Sequence, residues 1–353
     1  MIKQFLKIGQ HIMANRLNRD ILPAFITFIP TWRCNSRCLM CEVWRKNLQQ
    51  NEMSISEIRT IFSQLGVLIG VRITGGEPFL RDDLAQIINL IIQENNPQII
   101  HITSNGYLTD QILKTIDSIS EPSRIHLKIS IDAFGAEHDK IRGIPGAFAK
   151  AEKTLLELAK ISKEKKIYIG INQTIVEEKA LKDGQLQKWC ANMGLVLLRT
   201  VAHKNIALFS SSPSKVILPE KINEFYLDIA SDFFIDFIEK ELYFLQRVEK
   251  LSEKLTKRYY FKVLKCFAEN KACFPPCVHL NSHFHILPNG DIPVCYFNSN
   301  IIGNLVKSKL SQIKKSNEFA DAREWIKSCS GCMAGCELMP NGIFSGEILR
   351  KII

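Results

Sequence analysis

Apolar and polar residues follow two different rhythms along this chain. Short β-branched runs occur at residues 23–29, 68–74, 98–103, 124–131, 166–175 and 195–201. Between them, at 54–66, 81–95, 109–119, 147–163 and 178–193, apolar residues recur at three- and four-residue spacing. The first rhythm suits strands and the second suits amphipathic helices. Strands alternating with helices predict βαβ units and a parallel sheet. Six strands are fewer than the eight that close a full barrel of roughly 250 residues. The pattern therefore predicts an α/β fold, an open partial (β/α)6 TIM-like barrel over residues 21–202.

The ends of the runs carry a second pattern. Thr74 follows Val71, Ser104 and Asn105 follow Ile102, and Asp132 follows Ile129 and Ile131. Asn172 and Thr174 close the fifth run, and His203 follows the sixth. Each strand starts apolar and finishes polar, as expected where C-terminal strand ends build the working face of such a barrel.

The flanks differ. Residues 1–20 place Ile2, Phe5, Leu6, Ile8 and Ile12 roughly on one helical stripe, with Lys3, Lys7, Arg16 and Arg19 elsewhere. This predicts a helix covering the bottom of the barrel, or alternatively a basic amphipathic segment that makes weak membrane-surface contact. Residues 203–216 read as a Ser-rich linker and 217–262 as helix with an aromatic stripe including Phe225, Phe233 and Phe237, so 203–262 forms a linker and helical segment. From 263 to 353 cysteine density rises and the alternation stops. There, FHILPNGDIPVCYF reads as two β runs flanking Asn289-Gly290, a hairpin signal because both turn positions need positive φ. A second, small α+β domain held by metal is expected.

Composition removes several classes. With 46% hydrophobic and 23% charged residues the chain is ordinary for a globular protein. No apolar run reaches the roughly 18–20 residues that span a bilayer, and the N-terminus lacks the apolar core of a signal peptide. The net charge of +10 is spread along the chain, which argues against a nucleic-acid partner. Eleven cysteines, unevenly placed and without an export signal, suggest a cytoplasmic protein whose thiols bind metal.

Three of those cysteines lie together. Cys34, Cys38 and Cys41 are spaced C-x3-C-x2-C just after the first strand run, where a barrel places its active loops. A structural zinc site closes with four ligands, and no fourth Cys or His lies nearby in sequence. A disulfide would leave one thiol over. A [4Fe–4S] cluster on three thiolates leaves one iron open, as catalysis requires. Zinc or redox cysteines remain the alternatives. After the second strand run comes Gly75-Gly76-Glu77-Pro78, whose glycines let backbone approach a ligand closely.

These motifs resemble those of the radical S-adenosylmethionine (radical SAM) superfamily, whose cluster motif is C-x3-C-x-φ-C. The position φ, usually aromatic, is Met40 here, and a flexible thioether can still cover an adenine face. The resemblance implies that Cys34, Cys38 and Cys41 hold the catalytic cluster and that Gly75, Gly76 and Glu77 receive the amino group of S-adenosylmethionine. It places Ser104 and Asn105 near the cofactor, Ser130 and Asp132 at the ribose hydroxyls, and Arg142 at the methionine carboxylate, with Asn172 a further candidate. Arg142 could equally pair with Asp139. The implied reaction is reductive cleavage of S-adenosylmethionine to a 5′-deoxyadenosyl radical that abstracts hydrogen from a peptide or small-molecule substrate. An electron donor such as flavodoxin or ferredoxin is implied with it.

Further on, Cys277, Gly290 with Cys295 (G-x4-C), and Cys329, Cys332 and Cys336 resemble the SPASM/Twitch extension of the same superfamily. The final run is shortened to C-x2-C-x3-C, so one auxiliary [4Fe–4S] cluster is expected. Its ligands would be Cys277, Cys295, Cys329 and Cys332, with Cys336 or Cys273 as substitutes. A structural zinc is the alternative. His279, His283 and His285 add to its case, although on a strand they are expected to serve the hairpin faces. Cys190 and Cys266 read as ordinary cysteines. Only 33 residues precede Cys34, which favours a small molecule or a peptide delivered by a partner. The rival function is a non-catalytic iron–sulfur or zinc-binding electron-transfer protein on the same fold; Gly75-Gly76-Glu77-Pro78 and the polar strand ends argue against it.

Overall fold

The computed structural model describes residues 2–46, 51–177, 184–202, 207–209, 274–329, 331–332 and 335–350. The expected linker and helices of 210–262, with His203, Cys266 and Cys273, lie outside the described residues.

All six predicted strands are present as β1 (Phe25–Phe28), β2 (Gly70–Ile73), β3 (Ile99–Ser104), β4 (Ile125–Ser130), β5 (Tyr168–Ile175) and β6 (Val196–Val201). They pair in parallel and in chain order, each with the next. Between them run α2 (Ile55–Phe62), α3 (Leu84–Asn95), α4 (Thr109–Asp117), α5 (Gly135–Arg142), α6 (Ala147–Lys165) and α7 (Gln185–Asn192). Alternation along the strands sorts the two faces. Ile100, Ile102, Ile125, Leu127, Ile129, Ile169 and Ile171 join one buried cluster with Ile61, Phe62, Ile87, Ile91, Leu155 and Leu158 of the helices. The opposite positions form the inner face and are polar or aromatic: Arg72, His101, Thr103, His126, Lys128, Tyr168 and Asn172. Across it, His126 lies 5.2 Å from His101 and stacks on Tyr168 at 4.7 Å between ring centroids.

One expectation is extended and another corrected. The sheet has seven strands, because β7 (His283–Ile286) pairs in parallel with β1, Phe25 opposite His283 through Phe28 opposite Ile286. Phe284 and Ile286 thereby complete the core at the open edge of β1. The expected hairpin is not formed either. Gly290, at φ 85°, does turn the chain, and Leu287 N–H donates to Asp291 O at 2.9 Å. The strand after it, β8 (Asp291–Pro293), pairs with β9 (Ile301–Asn304) in a separate antiparallel sheet. The turn is claimed by that second sheet. Asn304 donates to Asn289 O and Asp291 Oδ1, and Leu305 N–H donates to Gly290 O.

The N-terminal segment is helical, α1 (Ile2–Arg16). Buried His11 pairs with Ser282 Oγ at 2.8 Å, just ahead of β7, and Asn15 donates to Ser282 Oγ and to Phe344 O. The helix thus covers the N-terminal end of the sheet beside α9 (Gly335–Phe344), which follows α8 (Asn317–Lys327). Among the described residues no helix is long and apolar enough to cross a membrane.

Candidate active site

Beyond Phe28 the chain leaves the sheet as an irregular loop carrying Cys34, Cys38 and Cys41, all free and partly exposed. The loop is shaped by its neighbours. Arg37 N–H and Leu39 N–H donate to the carbonyls of Arg142 and Ile141 at the end of α5, each at 2.9 Å. Ser36 Oγ lies 3.2 Å from Cys38 Sγ and 3.2 Å from Arg142 O. Burial pushes the Cys34 thiol up to about 12 and the Cys41 thiol up to about 11, and the neighbouring cysteines add to both shifts. Those thiols keep their protons at neutral pH until a strongly polarising cation takes their place.

The glycine motif reaches the same loop. Gly76 N–H donates to Thr31 O at 3.0 Å and Glu77 N–H to Arg33 O at 2.7 Å. Gly75 sits at φ 127°, and a methyl group on Gly76 would overlap the Arg33 carbonyl. These glycines make a close approach to the cysteine loop. Glu77 is buried, and three donors of the chain itself occupy its carboxylate. Oε1 accepts from Ser104 Oγ at 2.9 Å and Phe79 N at 3.2 Å, and Oε2 from Asn105 N at 2.7 Å. Burial raises its pKa to about 7, against the pull of those donors and of Arg142.

The other polar strand ends converge on this loop. Asn105 Nδ2 donates to Asn35 Oδ1 at 2.6 Å, so the end of β3 grips the residue after Cys34. Arg142 forms a two-point pair with buried Asp132, Nε to Oδ2 at 2.6 Å and Nη2 to Oδ1 at 2.9 Å. Its Nη1 lies 3.7 Å from Cys38 Sγ. Burial alone would weaken the guanidinium's hold on its proton, but the charges of Asp132 and Cys38 raise its pKa above the ordinary value. The alternative pairing with Asp139 is not made, because Asp139 accepts from Gly146 N and Phe148 N at the start of α6. Ser130 and Asn172 are register partners on β4 and β5. Asn172 Oδ1 is buried without a hydrogen-bond partner, and its Nδ2 reaches Thr103 Oγ1 only at 3.5 Å. Met40 packs beside Ile141, Val176 and Ala202, an apolar wall at the same mouth.

A second cysteine group lies behind the barrel. Cys277, Cys295 and Cys329 are near enough to perturb one another, and burial pushes Cys277 up to about 12 and Cys295 up to about 11. A cavity of about 300 Å³ opens beside Cys277 and Cys329. Cys332 directly follows Gly331, whose N–H points at Cys329 Sγ at 3.4 Å. Cys336 falls in the first turn of α9, with its side chain outside the described residues.

The model of the radical SAM superfamily matches residues 28–183, which contain the cysteine loop and every strand end that grips it. Residues 28–183 are a radical SAM domain. Residues 277–333 match an iron–sulfur cluster-binding domain, SPASM. The first domain implies a [4Fe–4S] cluster and S-adenosylmethionine, and the second implies an auxiliary iron–sulfur cluster. The pre-heme d1 synthase of Dinoroseobacter shibae is 28% identical over 197 residues, 55% of this chain and 47% of that protein. The Fe-coproporphyrin III synthase of Methanosarcina barkeri is 26% identical, over 48% of this chain and 40% of that protein. The chain thus spans less than half the length of either relative. Among solved structures, anSMEcpe with AdoMet and the Cp18Cys peptide superposes with a TM-score of 0.56 at 14% identity, covering 94% of this chain and 96% of that one. Streptococcus suis SuiB with its precursor peptide SuiA gives 0.61 at 14% identity, over 96% and 74%. At these identities the likeness is one of fold, a partial barrel with a C-terminal extension.

The residues present suit the radical SAM cofactors. Three unbridged, mutually close thiols are the soft donor set an iron–sulfur cluster takes, and the orphaned Asn172 Oδ1 is a buried acceptor still lacking a donor. Sequence reasoning missed Asn35, Ser36 and Tyr107, whose hydroxyl lies 3.4 Å from Ser36 Oγ. The Ser36 and Asn35 positions inside the cysteine motif were the available signal.

Proposed function

We propose that the chain is a radical SAM enzyme that cleaves S-adenosylmethionine reductively and abstracts hydrogen from a peptide or small-molecule substrate, assisted by one auxiliary cluster. The observation that carries this reading is the joining of the cysteine loop, Gly75-Gly76-Glu77, Asn105 and the Asp132–Arg142 pair into one hydrogen-bonded mouth. When bound, the cluster and S-adenosylmethionine supply the 5′-deoxyadenosyl radical, chemistry that no acid–base side chain offers.

The chain's own residues hold and orient. Cys34, Cys38 and Cys41 are the cluster ligands, with the Arg142 guanidinium 3.7 Å from Cys38 Sγ. Glu77 acts from within, fixing Ser104 and Asn105 rather than offering a free carboxylate. Ser130 and Asn172 are the strand-end groups best placed to meet the cofactor's polar atoms. Asp132 and Arg142 work as a pair, so any contact with ribose or carboxylate uses the lone pairs and N–H groups the pair leaves over. Cys277, Cys295, Cys329 and Cys332 are the auxiliary ligands. The named relatives are a pre-heme d1 synthase and an Fe-coproporphyrin III synthase, whereas the structural neighbours hold peptides, which keeps both substrate classes in the proposal. The reading also takes an electron donor such as flavodoxin or ferredoxin, and a cytoplasmic setting.

Anaerobically reconstituted protein reduced with dithionite is expected to release 5′-deoxyadenosine from S-adenosylmethionine. Absence of that product from protein with a full iron complement overturns the reading.

A further inference from the structure

His283 and His285 occupy alternate positions on β7 and so project to one side of it. His279, in the turn just before the strand, bridges back to His283. Glu337 enters from the first turn of α9. All four are buried, none more than 2% exposed. One ligand-capable atom from each lies within 4.8 Å of the others. Glu337 reaches His283 Nδ1 at 3.2 Å and His285 Nε2 at 3.0 Å. The three rings stand 4.7–5.1 Å apart between centroids.

These distances are short, yet hydrogen bonds do not account for the arrangement. Neither ring nitrogen of His279, neither of His285 and neither oxygen of Glu337 makes a hydrogen bond of ordinary geometry. Buried polar groups are rarely left in that condition, and here they face one another. The outer sides are supported. His283 Nε2 lies 3.0 Å from Thr27 Oγ1, Tyr296 packs 4.1 Å from the His285 ring, and the Val294 carbonyl faces His279. A metal-bound imidazole needs this arrangement, one nitrogen inward and the other face held by its surroundings.

We propose that His279, His283, His285 and Glu337 bind a single divalent transition-metal ion, with zinc the ion that suits them. The donor set is three imidazoles and one carboxylate, hard to borderline ligands that match zinc rather than an iron–sulfur cluster. Four protein ligands in a closed, buried position make it structural, since a catalytic zinc keeps one position open. Three ligands come from the last strand of the barrel and its preceding turn, and the fourth from a C-terminal helix. The ion therefore staples α9 to β7, at the seam between the sheet and the cysteine-rich region. It is a third metal site, distinct from the barrel mouth and from the Cys277, Cys295 and Cys329 thiols that border it.

The test uses the full chain, treated with a zinc chelator and then given zinc alone. The expected result is about one equivalent of tightly held zinc, with a nitrogen and oxygen shell in X-ray absorption at the zinc edge. Glu337→Gln and His285→Ala are each expected to weaken zinc at least roughly a hundredfold, with Cys34, Cys38 and Cys41 still taking up iron. Zinc that fails to bind the wild-type chain, a shell containing sulfur, or unchanged affinity in both variants overturns the proposal. The wild-type absorption spectrum decides the matter even if a variant fails to fold.

Discussion

The mouth of the barrel and the seam behind it solve the problem of holding metal in opposite ways. At the mouth the thiols sit partly exposed on one short loop, and the polar groups around them, Asn172 Oδ1 excepted, are already bonded to one another. At the seam the ligands are fully buried, come from segments more than fifty residues apart, and their inward faces lack partners. The mouth is a preassembled frame around open ligands, as suits a site that must admit a cofactor and a substrate. The seam is closed, and its frame is incomplete until an ion arrives. The contrast teaches that enclosure and readiness need not go together within one chain.

The sharpest way to break this comparison is to remove ligands one region at a time. Alanine at Cys34, Cys38 or Cys41 is expected to reduce 5′-deoxyadenosine formation to background, measured by chromatography of anaerobic reactions. Alanine at Cys329 is expected to preserve that cleavage, uncoupled, while losing substrate product. Normal product from the Cys329 variant would make the auxiliary site structural only. Next in size is Asp132→Asn, which leaves the buried Arg142 guanidinium without its anion. Removing one member of a buried pair costs about 3–5 kcal/mol. Denaturant midpoints should fall accordingly, with zinc content at the seam unchanged.

How much of this was legible in sequence follows from how far apart the partners lie. Cys34, Cys38 and Cys41 stand within eight residues, and Gly75-Gly76-Glu77 directly follows a strand, so local spacing revealed both. The six strands were legible as short β-branched runs set between helical periods. Strand β7 was legible as a β run but not as part of the barrel, since only its pairing with β1, some 250 residues earlier, places it there. A turn at Asn289-Gly290 was identified, although only Gly290 takes the positive φ expected of both positions, and turn chemistry does not say which strand will pair beyond it. Glu337 carried no signal at all. It is one acidic residue after a cysteine, and only the placement of α9 against His283 and His285 gives it meaning. Arg142 was singled out, though its true partner Asp132 was assigned to another task.

A pH profile sharpens the comparison further. Burial holds Glu77 at about 7, above the ordinary value of 4.5. A raised acid contributes stability that is complete below about 4.5 and is lost as pH rises through about 7. On the seam side, burial lowers His11 from 6.5 to about 4, so its contribution is present above 6.5 and is lost as pH falls through about 4. Glu77→Gln should remove the alkaline loss, worth on the order of 3 kcal/mol, and leave the acid limb intact. Urea midpoints at pH 5 and pH 8 for both proteins check this; parallel profiles would show that Glu77 does not titrate as its burial implies.

The smallest expected effect concerns the frame itself. Gly76→Ala adds one methyl group where the Arg33 carbonyl already lies, with the Trp32 carbonyl 2.7 Å from the same point. Two backbone bonds, Gly76 N–H to Thr31 O and Glu77 N–H to Arg33 O, fix that approach, so the loop must shift for the methyl to fit. Inserting a methyl into a well-packed position costs typically about 1–3 kcal/mol, which a protein of this size should survive. The consequence falls on Cys34, the residue after Arg33. Iron uptake at the mouth should slow and saturate lower, measured by absorbance during anaerobic reconstitution, while zinc affinity at the seam stays at the wild-type value. If both sites lose metal together, the loop and the seam are one cooperative unit and the mouth is not an independent frame. If neither changes, backbone contact with the glycines does not position the cysteines, and their geometry comes from Asn105 and Arg142 alone.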